Sequence, residues 1–227
     1  MGYTRNDILE QCKSAFQNKS TFYKQSFINY RGKTEDTDEY FTEVIAEFIC
    51  GHISEFRNGI TAITRESSYK TPGHDGMIKD LGSGREEEII AMKMYDKQYD
   101  FIGKMIDYQT PLKNKRSDEA GKIDLLAYDG TTLRILELKK PDSAETMLRC
   151  VLEGYTYLKT ANIAKLLVDF DKPSGTIVKA CPFVFRNGEQ HSEMREERPH
   201  LKRLIDLLDS KPYYISEDNG KYSVTEE

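Results

Sequence analysis

The stretch from Gly121 to Lys140, GKIDLLAYDGTTLRILELKK, predicts a β-hairpin around which the rest of the chain is organised. Two apolar runs flank the dipeptide Asp129-Gly130, which is typical of a hairpin turn. The second run has apolar side chains on both faces, so we expect that strand to be buried. Three charged residues nevertheless lie within the hairpin, namely Asp124, Glu137 and Lys139. Charges in a buried strand are costly unless they are paired or bind a metal ion.

Side-chain alternation along the two strands predicts that these charges share one face. Glu137 and Lys139 are two residues apart, so their side chains point the same way. A two-residue loop at Asp129-Gly130 makes Asp124 and Glu137 diagonal neighbours. A four-residue loop that ends at Thr132 places the two carboxylates directly opposite each other. Either even-length loop brings one Asp, one Glu and one Lys together, whereas an odd-length loop or a bulge separates them.

The three side chains are suited to hydrolysis of a phosphodiester. Two carboxylates at this separation attract a hard divalent cation, and a site of oxygen ligands and water favours Mg²⁺ or Mn²⁺. A lysine beside the metal can orient an attacking water or help to deprotonate it, and can hold a phosphate oxygen. The hairpin therefore has the residues for metal-dependent hydrolysis of a phosphodiester.

The same residues resemble a known signature. Asp124, twelve intervening residues and Glu137-Leu138-Lys139 are similar to the PD-(D/E)XK motif of nucleases with the restriction-endonuclease-like fold. The resemblance covers about residues 84–185, and Ile123 stands where the motif has proline. It implies an α/β fold (an α+β mixed sheet), with a restriction-endonuclease-like core, a central mixed β-sheet flanked by helices and an N-terminal helical extension.

The resemblance also implies a role for each residue of the motif. Asp124 and Glu137 bind Mg²⁺ (or Mn²⁺) together with the backbone carbonyl of Leu138, and Lys139 assists the attacking water. The substrate is nucleic acid, and the resemblance favours DNA over RNA.

A helix predicted over residues 85–97 precedes the hairpin and begins with three glutamates. Acidic residues at this position stabilise the positive end of any helix. In the nucleases that the chain resembles, the first core helix supplies an acidic group to the metal site. That resemblance assigns the role to Glu87, which can face the same way as the core. Glu86 is the runner-up, and Glu86 and Glu88 are expected to be turned away from the core.

A second helix is predicted from Asp142 or Ser143 to about Lys159, with a capping box between Asp142 and Glu145. On this helix, Glu153-Gly-Tyr-Thr-Tyr157 has the spacing of a Gln-x-x-x-Tyr motif in the RecB-like branch of the superfamily.

The resemblance implies that Glu153 and Tyr157 line the site and orient Lys139 or the substrate. Because Glu stands in place of Gln, Glu153 could bind the metal through water or pair with Lys139 or Arg149. An ordinary surface ion pair between Arg149 and Glu153 is the alternative interpretation.

Two domains are expected, an N-terminal helical extension over residues 1–75 that packs on a nuclease-like domain over residues 76–227. The extension should contain helices over residues 7–16 and 37–56, either as a packing layer or as a surface for substrate or partner. His74 lies beside Asp75 in a polar loop over residues 66–84 and could be a metal ligand or a base, but a solvated turn is expected. Further strands are predicted over residues 104–112, 163–170 and 176–185, and Pro182 indicates that the last of these is an edge or bent strand. A helix over residues 199–209 and a hairpin over residues 213–224, which turns at Asn219-Gly220, are predicted to follow.

The charge pattern bears on nucleic-acid binding. The net charge of −5 is spread evenly along the 227 residues, so no segment forms the basic arm that drives sequence-independent binding. Lys113, Lys115 and Arg116, in the connection before the hairpin, and Lys140 after it are the residues expected to contact phosphates.

Composition fits a cytoplasmic protein with no membrane contact. No apolar run is long enough to span a bilayer, and the N-terminus has no apolar signal-peptide core. Four cysteines lie far apart without a CxxC pair, which favours reduced thiols over a zinc site or disulfides. The N-terminal helices offer a surface for a homodimer or a partner protein.

Two other functions compete with a nuclease. The first is a nuclease-like module that binds nucleic acid or protein with little or no turnover. The second is purely structural, with Asp124, Glu137 and Lys139 forming a buried ion network. Such networks seldom improve stability over apolar packing, so we favour the nuclease.

Overall fold

The computed structural model describes residues 2–78, 85–114 and 120–226. Within these residues the chain forms one seven-stranded sheet flanked by eight α-helices and two short 3₁₀ helices, Lys19–Lys24 and Ser26–Asn29. The strands are β1 Gln98–Tyr99, β2 Gly103–Pro111, β3 Lys122–Tyr128, β4 Thr132–Leu138, β5 Ile177–Phe185, β6 Tyr213–Asp218 and β7 Lys221–Thr225. The α-helices are α1 Arg5–Ala15, α2 Phe41–Gly51, α3 Ile53–Asn58, α4 Glu86–Met94, α5 Met147–Thr160, α6 Ile163–Asp169, α7 Glu189–Arg195 and α8 Pro199–Leu207.

The sheet is mixed, and its strands lie side by side in chain order. Strands β1 to β4 are antiparallel, β4, β5 and β6 are parallel to one another, and β7 returns antiparallel to β6. Parallel neighbours need crossover connections. Helices α5 and α6 provide the first crossover, and α7 and α8 provide the second. The expected mixed sheet flanked by helices is therefore confirmed.

Helices cover both faces of the sheet, which explains why the central strand β4 is buried throughout. Leu133 and Ile135 of β4 join a core with residues of the N-terminal helices, α5, α6 and α8. Leu136 and Leu138 point the other way and pack in a second core with residues of α4. By the same alternation, Glu137 lies on the face covered by α5.

The predicted hairpins and three of the flanking elements are confirmed with small shifts of their ends. Strands β3 and β4 pair with Tyr128 opposite Leu133, so the connection is the longer of the two predicted loops. Strands β6 and β7 turn at Asn219-Gly220 as expected. Helices α4 and α8 and strand β2 lie where the sequence predicts them.

The strand predicted over residues 163–170 is wrong, because this segment is helix α6. Asn162 accepts the backbone N–H of Lys165 and so caps the helix. The pair Lys165 Nζ–Asp169 Oδ1, at 3.1 Å, adds an interaction four residues apart along one helix face. The segment Ile163–Asp169 is too short for its periodicity alone to distinguish a helix from a strand.

The predicted start of the helix after the hairpin is also wrong. Helix α5 begins at Met147, since Thr146 caps it by accepting the N–H of Arg149 at 3.1 Å. The Thr146 hydroxyl in turn donates to the carbonyl of Ile28 at 2.8 Å. A contact with the N-terminal region therefore fixes this helix end, and the expected box between Asp142 and Glu145 does not form.

Two further expectations need correction. The single helix predicted over residues 37–56 is two helices, α2 and α3, which meet at His52. Strand β5 is not an edge strand along its whole length. It pairs with β4 along most of its length, and on its other side only Phe183 to Phe185 pair with β6. Pro182 lies just before that second ladder begins, where a missing N–H costs least.

The N-terminal helices pack directly on the C-terminal part of the chain. The buried carboxylate of Glu43 in α2 accepts the backbone N–H groups of His200 and Leu201 at 2.8 and 2.9 Å. These are orphan donors in the first turn of α8, so Glu43 caps that helix from a distant segment. The predicted division at residue 75 stays a prediction.

Candidate active-site cleft

The hairpin register brings Asp124 and Glu137 together at the C-terminal end of β4. Leu125 lies opposite Leu136, so continuing the same register by one residue places Asp124 opposite Glu137. Asp124 Oδ2 accepts the backbone N–H of Leu138 at 3.0 Å, which ties the first strand to the end of the second. Of the two predicted loop lengths, the protein has the four-residue loop, which places the carboxylates of Asp124 and Glu137 directly opposite each other.

Gln109 holds the other oxygen of Asp124, and no sequence pattern pointed to this residue. Its Nε2 donates to Asp124 Oδ1 at 3.1 Å. Gln109 lies inside strand β2 with a φ of 49°, a left-handed conformation that is costly for a residue with a side chain. Strain of this kind is found most often at functional sites, where the surrounding structure maintains it.

Lys139 is buried and lies within hydrogen-bonding or ion-pairing distance of three carboxylates. Its Nζ is 2.8 Å from Glu137 Oε1, 2.7 Å from Glu145 Oε2 and 3.4 Å from Glu153 Oε2. Burial opposes the charged form, but Glu137 and Glu153 outweigh it and hold the pKa of Lys139 well above its usual value. The ammonium group is therefore protonated in the metal-free cleft, which suits Lys139 to orienting a ligand or stabilising negative charge.

Glu153 pairs with both Lys139 and Arg149, the two cations that the sequence offered as its partners. Its Oε2 is 3.1 Å from Arg149 Nε as well as 3.4 Å from Lys139 Nζ, and its Oε1 accepts the Tyr157 hydroxyl at 2.8 Å. Burial alone would raise the pKa of Glu153, but Lys139, Arg149 and Tyr157 lower it. Glu153 is 8% exposed, so this is not the ordinary surface pair of the alternative interpretation.

Two glycines let helix α5 approach the hairpin closely. A Cβ at Gly154 would lie 3.3 Å from the Cβ of Glu137, and a Cβ at Gly121 would lie 2.2 Å from the hydroxyl of Tyr157. Larger residues at either position would push α5 away from the strands. The close packing holds Glu153 and Tyr157 against Glu137 and Lys139.

The carboxyl groups of the cleft favour an added cation. Burial raises the pKa of Asp124 to about 7, with Glu87 adding to the effect and Lys139 opposing it. Burial, Asp124 and Glu153 together raise the pKa of Glu137 well above its usual value. Glu137 Oε2 is buried and has no hydrogen-bond partner among the described residues. A buried carboxylate oxygen without a partner is costly, and a divalent cation would satisfy it.

Asp124, Glu137 and the carbonyl of Leu138 thus fit a hard cation in the types of atom they offer. No three His, Cys, Asp or Glu side chains in the described ranges are grouped so as to hold a metal. A cation at the hairpin would therefore complete its shell with the carbonyl and water, as Mg²⁺ commonly does.

Glu87 lies nearer to the hairpin than Glu86. Glu87 Oε1 accepts the backbone N–H of Lys140 at 3.2 Å, whereas Glu86 Oε2 pairs with the Lys140 ammonium at 2.8 Å near the surface. Burial raises the pKa of Glu87, as expected for a carboxyl that faces the cleft. Glu86, Glu87 and Glu88 all line the cleft, and Glu86 is the most exposed of the three.

Of the four basic residues expected to contact phosphates, the structure brings one to the cleft. Lys140 lines it and is paired with Glu86 and Asp142. Lys113 is exposed and is not among the cleft residues, although its carbonyl accepts a hydrogen bond from Arg65. Lys115 and Arg116 lie outside the described residues.

The cleft has a volume of about 510 Å³ and an acidic lining. Acidic side chains outnumber basic ones in it by seven to four, so it attracts cations and repels a phosphate unless a cation is bound. Its lining is Arg85, Glu86, Glu87, Glu88, Gln109, Asp124, Glu137, Lys139, Lys140, Glu145, Arg149, Glu153 and Tyr157.

His74 is not in a solvated turn, which corrects the expectation from its polar loop. Its Nδ1–H donates to Asp107 Oδ1 at 2.7 Å, and Asp107 also accepts the Thr110 hydroxyl at 2.6 Å. The imidazole stacks on Tyr108 with ring centroids 4.3 Å apart. The aromatic and acidic residues of β2 were not distinguishable in sequence from ordinary strand residues.

Comparison with known proteins adds no assignment. No family model, curated protein or solved structure matches the chain. In the part of the chain that the structure describes, no helix is both long and apolar enough to cross a bilayer.

Proposed function

We propose that this chain is a metal-dependent nuclease that hydrolyses phosphodiester bonds, most simply in DNA, with a restriction-endonuclease-like core. The observation that carries the proposal is the opposed pair Asp124 and Glu137 beside buried Lys139, with Glu137 Oε2 lacking a partner among the described residues. The resemblance to the PD-(D/E)XK motif supports the same assignment. The acidic lining of the cleft is consistent with a site that needs a divalent cation before it accepts a phosphate.

Asp124, Glu137 and the Leu138 carbonyl would hold Mg²⁺ or Mn²⁺, with Glu87 contributing directly or through water. When bound, the ion supplies Lewis acidity, which makes water more acidic and offsets negative charge on a phosphate. Gln109 and the Leu138 N–H fix Asp124 in place. A carboxylate oriented in this way does not have to reorganise when substrate arrives.

Lys139 would stabilise the phosphate charge that grows during attack by water. An ammonium group has three N–H donors, and in the free protein Lys139 directs them toward Glu137, Glu145 and Glu153. Glu145 is the most exposed of these partners, with 31% of its side chain accessible. A phosphate oxygen would therefore replace Glu145 most readily, while Glu153 and Glu137 keep the ammonium in position.

The reaction itself is a single displacement at phosphorus. The oxygen of water bonds to phosphorus as one ester P–O bond breaks, the water proton passes to solvent, and the leaving oxygen takes a proton. Glu153, held by Arg149 and Tyr157, keeps Lys139 aligned throughout.

The test is cleavage of linear duplex, circular and single-stranded DNA, and of RNA, with Mg²⁺, Mn²⁺ or EDTA. Asp124→Asn and Glu137→Gln are expected to lower the rate by roughly a hundredfold or more, since each keeps its shape but loses a ligand charge. The exposed residue Glu217 on β6 provides the matched control, and Glu217→Gln should cleave as the parent does.

Calorimetric titration with Mn²⁺ provides a readout besides activity, because Asp124→Asn should weaken cation binding in the same protein. Cleavage that survives in EDTA or in both hairpin variants would contradict the proposal. The alternative is a nuclease-like module that binds nucleic acid or protein with little or no turnover. Binding without cleavage under every condition would support it.

A further inference from the structure

A second cavity of about 600 Å³ opens beside the proposed active-site cleft. Arg85, Glu88 and Gln109 line both, so the two spaces adjoin along one wall. Their chemistry differs. The cleft is lined almost wholly by charged residues, whereas the second cavity has an apolar side formed by Met77, Ile78, Ile89 and Met92.

His74 and Tyr108 form a rigid aromatic wall of this cavity. The two rings stack with centroids 4.3 Å apart and an angle of 20° between their planes. Asp107, which is 2% exposed, holds the Nδ1 side of His74, and Tyr95 packs edge-on against Tyr108 at 5.2 Å. The imidazole therefore has one orientation before any ligand arrives, which reduces the entropy cost of binding a flat ring against it.

Charged side chains and an exposed thioether complete the cavity. The cations Arg85 and Lys122 lie on its lining with the carboxylates of Asp75 and Glu88, and Arg85 Nη1 pairs with Glu88 Oε2 at 3.3 Å. Met77 is 67% exposed and presents a flexible thioether side chain at the cavity. Flat apolar surface beside cations, next to a site for a phosphate, matches one nucleotide of a nucleic acid: base on the aromatic wall and phosphate in the cleft.

We propose that this cavity binds an unstacked nucleobase of single-stranded nucleic acid, with His74 and Met77 contacting the base. The inference rests on the proposed nuclease function and narrows its substrate. A base inside a duplex is covered on both faces by its neighbours and cannot enter, so the chain acts on single strands or unpaired ends. DNA and RNA share this chemistry, and the test below distinguishes them.

The experiment measures binding of fluorescent 12-nucleotide single-stranded DNA, its RNA equivalent and a duplex to the full chain by anisotropy, in EDTA and with Ca²⁺. We expect single strands to bind more tightly than duplex. His74→Ala should weaken single-strand binding by roughly 5- to 150-fold, the range of one lost base stack, with little change for duplex. His74→Phe keeps a flat ring and should recover most of the affinity.

His191 provides a matched control, being a half-buried histidine packed edge-on against Tyr214 outside both cavities. His191→Ala should bind as the parent does. In case His74→Ala folds poorly, as judged by its thermal melt, the parent chain is tested with single strands that carry one abasic site at each position in turn. The parent chain should then bind more weakly to the strand whose abasic site lies at one position near the cleavage site.

Equal loss in His74→Ala and His191→Ala, loss that is the same for duplex, or no position sensitive to an abasic site would overturn the base site. So would failure of every oligonucleotide to bind. Cleavage without any His74 effect overturns this inference and leaves the nuclease proposal intact. Base-dependent binding without cleavage would support the base site and overturn the nuclease proposal.

Discussion

Three carboxylates share the single ammonium group of Lys139, and this predicts what removal of that group does. Lys139→Met keeps the volume but leaves Glu137, Glu145 and Glu153 without their shared partner. An uncompensated buried charge costs about 3–5 kcal/mol, so we expect a loss of that size in the free energy of unfolding at neutral pH. Urea unfolding in EDTA, followed by circular dichroism, measures it.

Lys93 on α4 is exposed and serves as the control, because Lys93→Met should change stability by less than about 0.5 kcal/mol. Titrating Mn²⁺ into Lys139→Met should restore part of the lost stability, since a cation can replace the missing charge. Equal stabilities for the two variants would show that the three carboxylates do not depend on Lys139.

At the scale of the element, the turn between β3 and β4 sets the register of the whole site. Asp129 accepts the backbone N–H groups of Thr131 and Thr132, at 2.9 and 2.8 Å, and pairs with Arg134 at 2.6 Å. Burial opposes ionisation, but these bonds outweigh it and lower the pKa of Asp129 below its ordinary value of 3.8. Its stabilising effect is therefore complete above pH 3.8 and is lost as the pH falls through the lower value.

Asp129→Asn should lower the free energy of unfolding by about 1 kcal/mol at pH 7, a modest figure because the side chain is 27% exposed. The gap between this variant and the parent should narrow as the pH falls below about 4, because Asp129 of the unfolded parent then takes up a proton that the folded parent, with its lower pKa, does not. Urea unfolding at pH 7 and pH 3 checks this, with exposed Asp206→Asn in α8 as the control. A gap that stays constant with pH would contradict the assigned role of the charge.

The turn between β3 and β4 could be predicted from the sequence only in part. Period-two alternation and the Asp-Gly pair predicted the hairpin and the shared face of Asp124 and Glu137, but left two loop lengths open. Gln109 could not have been found, because its contact with Asp124 depends on the register of β2 against β3, which is irregular between Met105 and Asp107. The start of α5 was missed for a similar reason, since the contact between Thr146 and Ile28 joins segments far apart in the chain.

At the scale of the whole molecule, the N-terminal helices share a hydrophobic core with the sheet and with α5 and α8. Ile8, Ile45 and Phe56 belong to the same cluster of buried side chains as Ile135 and Leu204. Removal of the N-terminal helices would expose apolar surface on the elements that hold Glu153 and Tyr157. Their predicted use as a partner surface is therefore limited to the faces that point away from this core.

Glu43 offers a test of that coupling, because it bonds N–H groups at the start of α8 from within α2. Glu43→Ala leaves His200 and Leu201 with unsatisfied donors near the core, and we expect it to cost about 2–3 kcal/mol. Glu47, one turn further along α2, pairs with Arg5 at the surface, so Glu47→Ala should cost less than about 1 kcal/mol. Hydrogen exchange should show that both α2 and α8 lose protection in Glu43→Ala. Equal losses of unfolding free energy in Glu43→Ala and Glu47→Ala, or changes in exchange confined to α8, would mean that the N-terminal helices unfold independently of the rest.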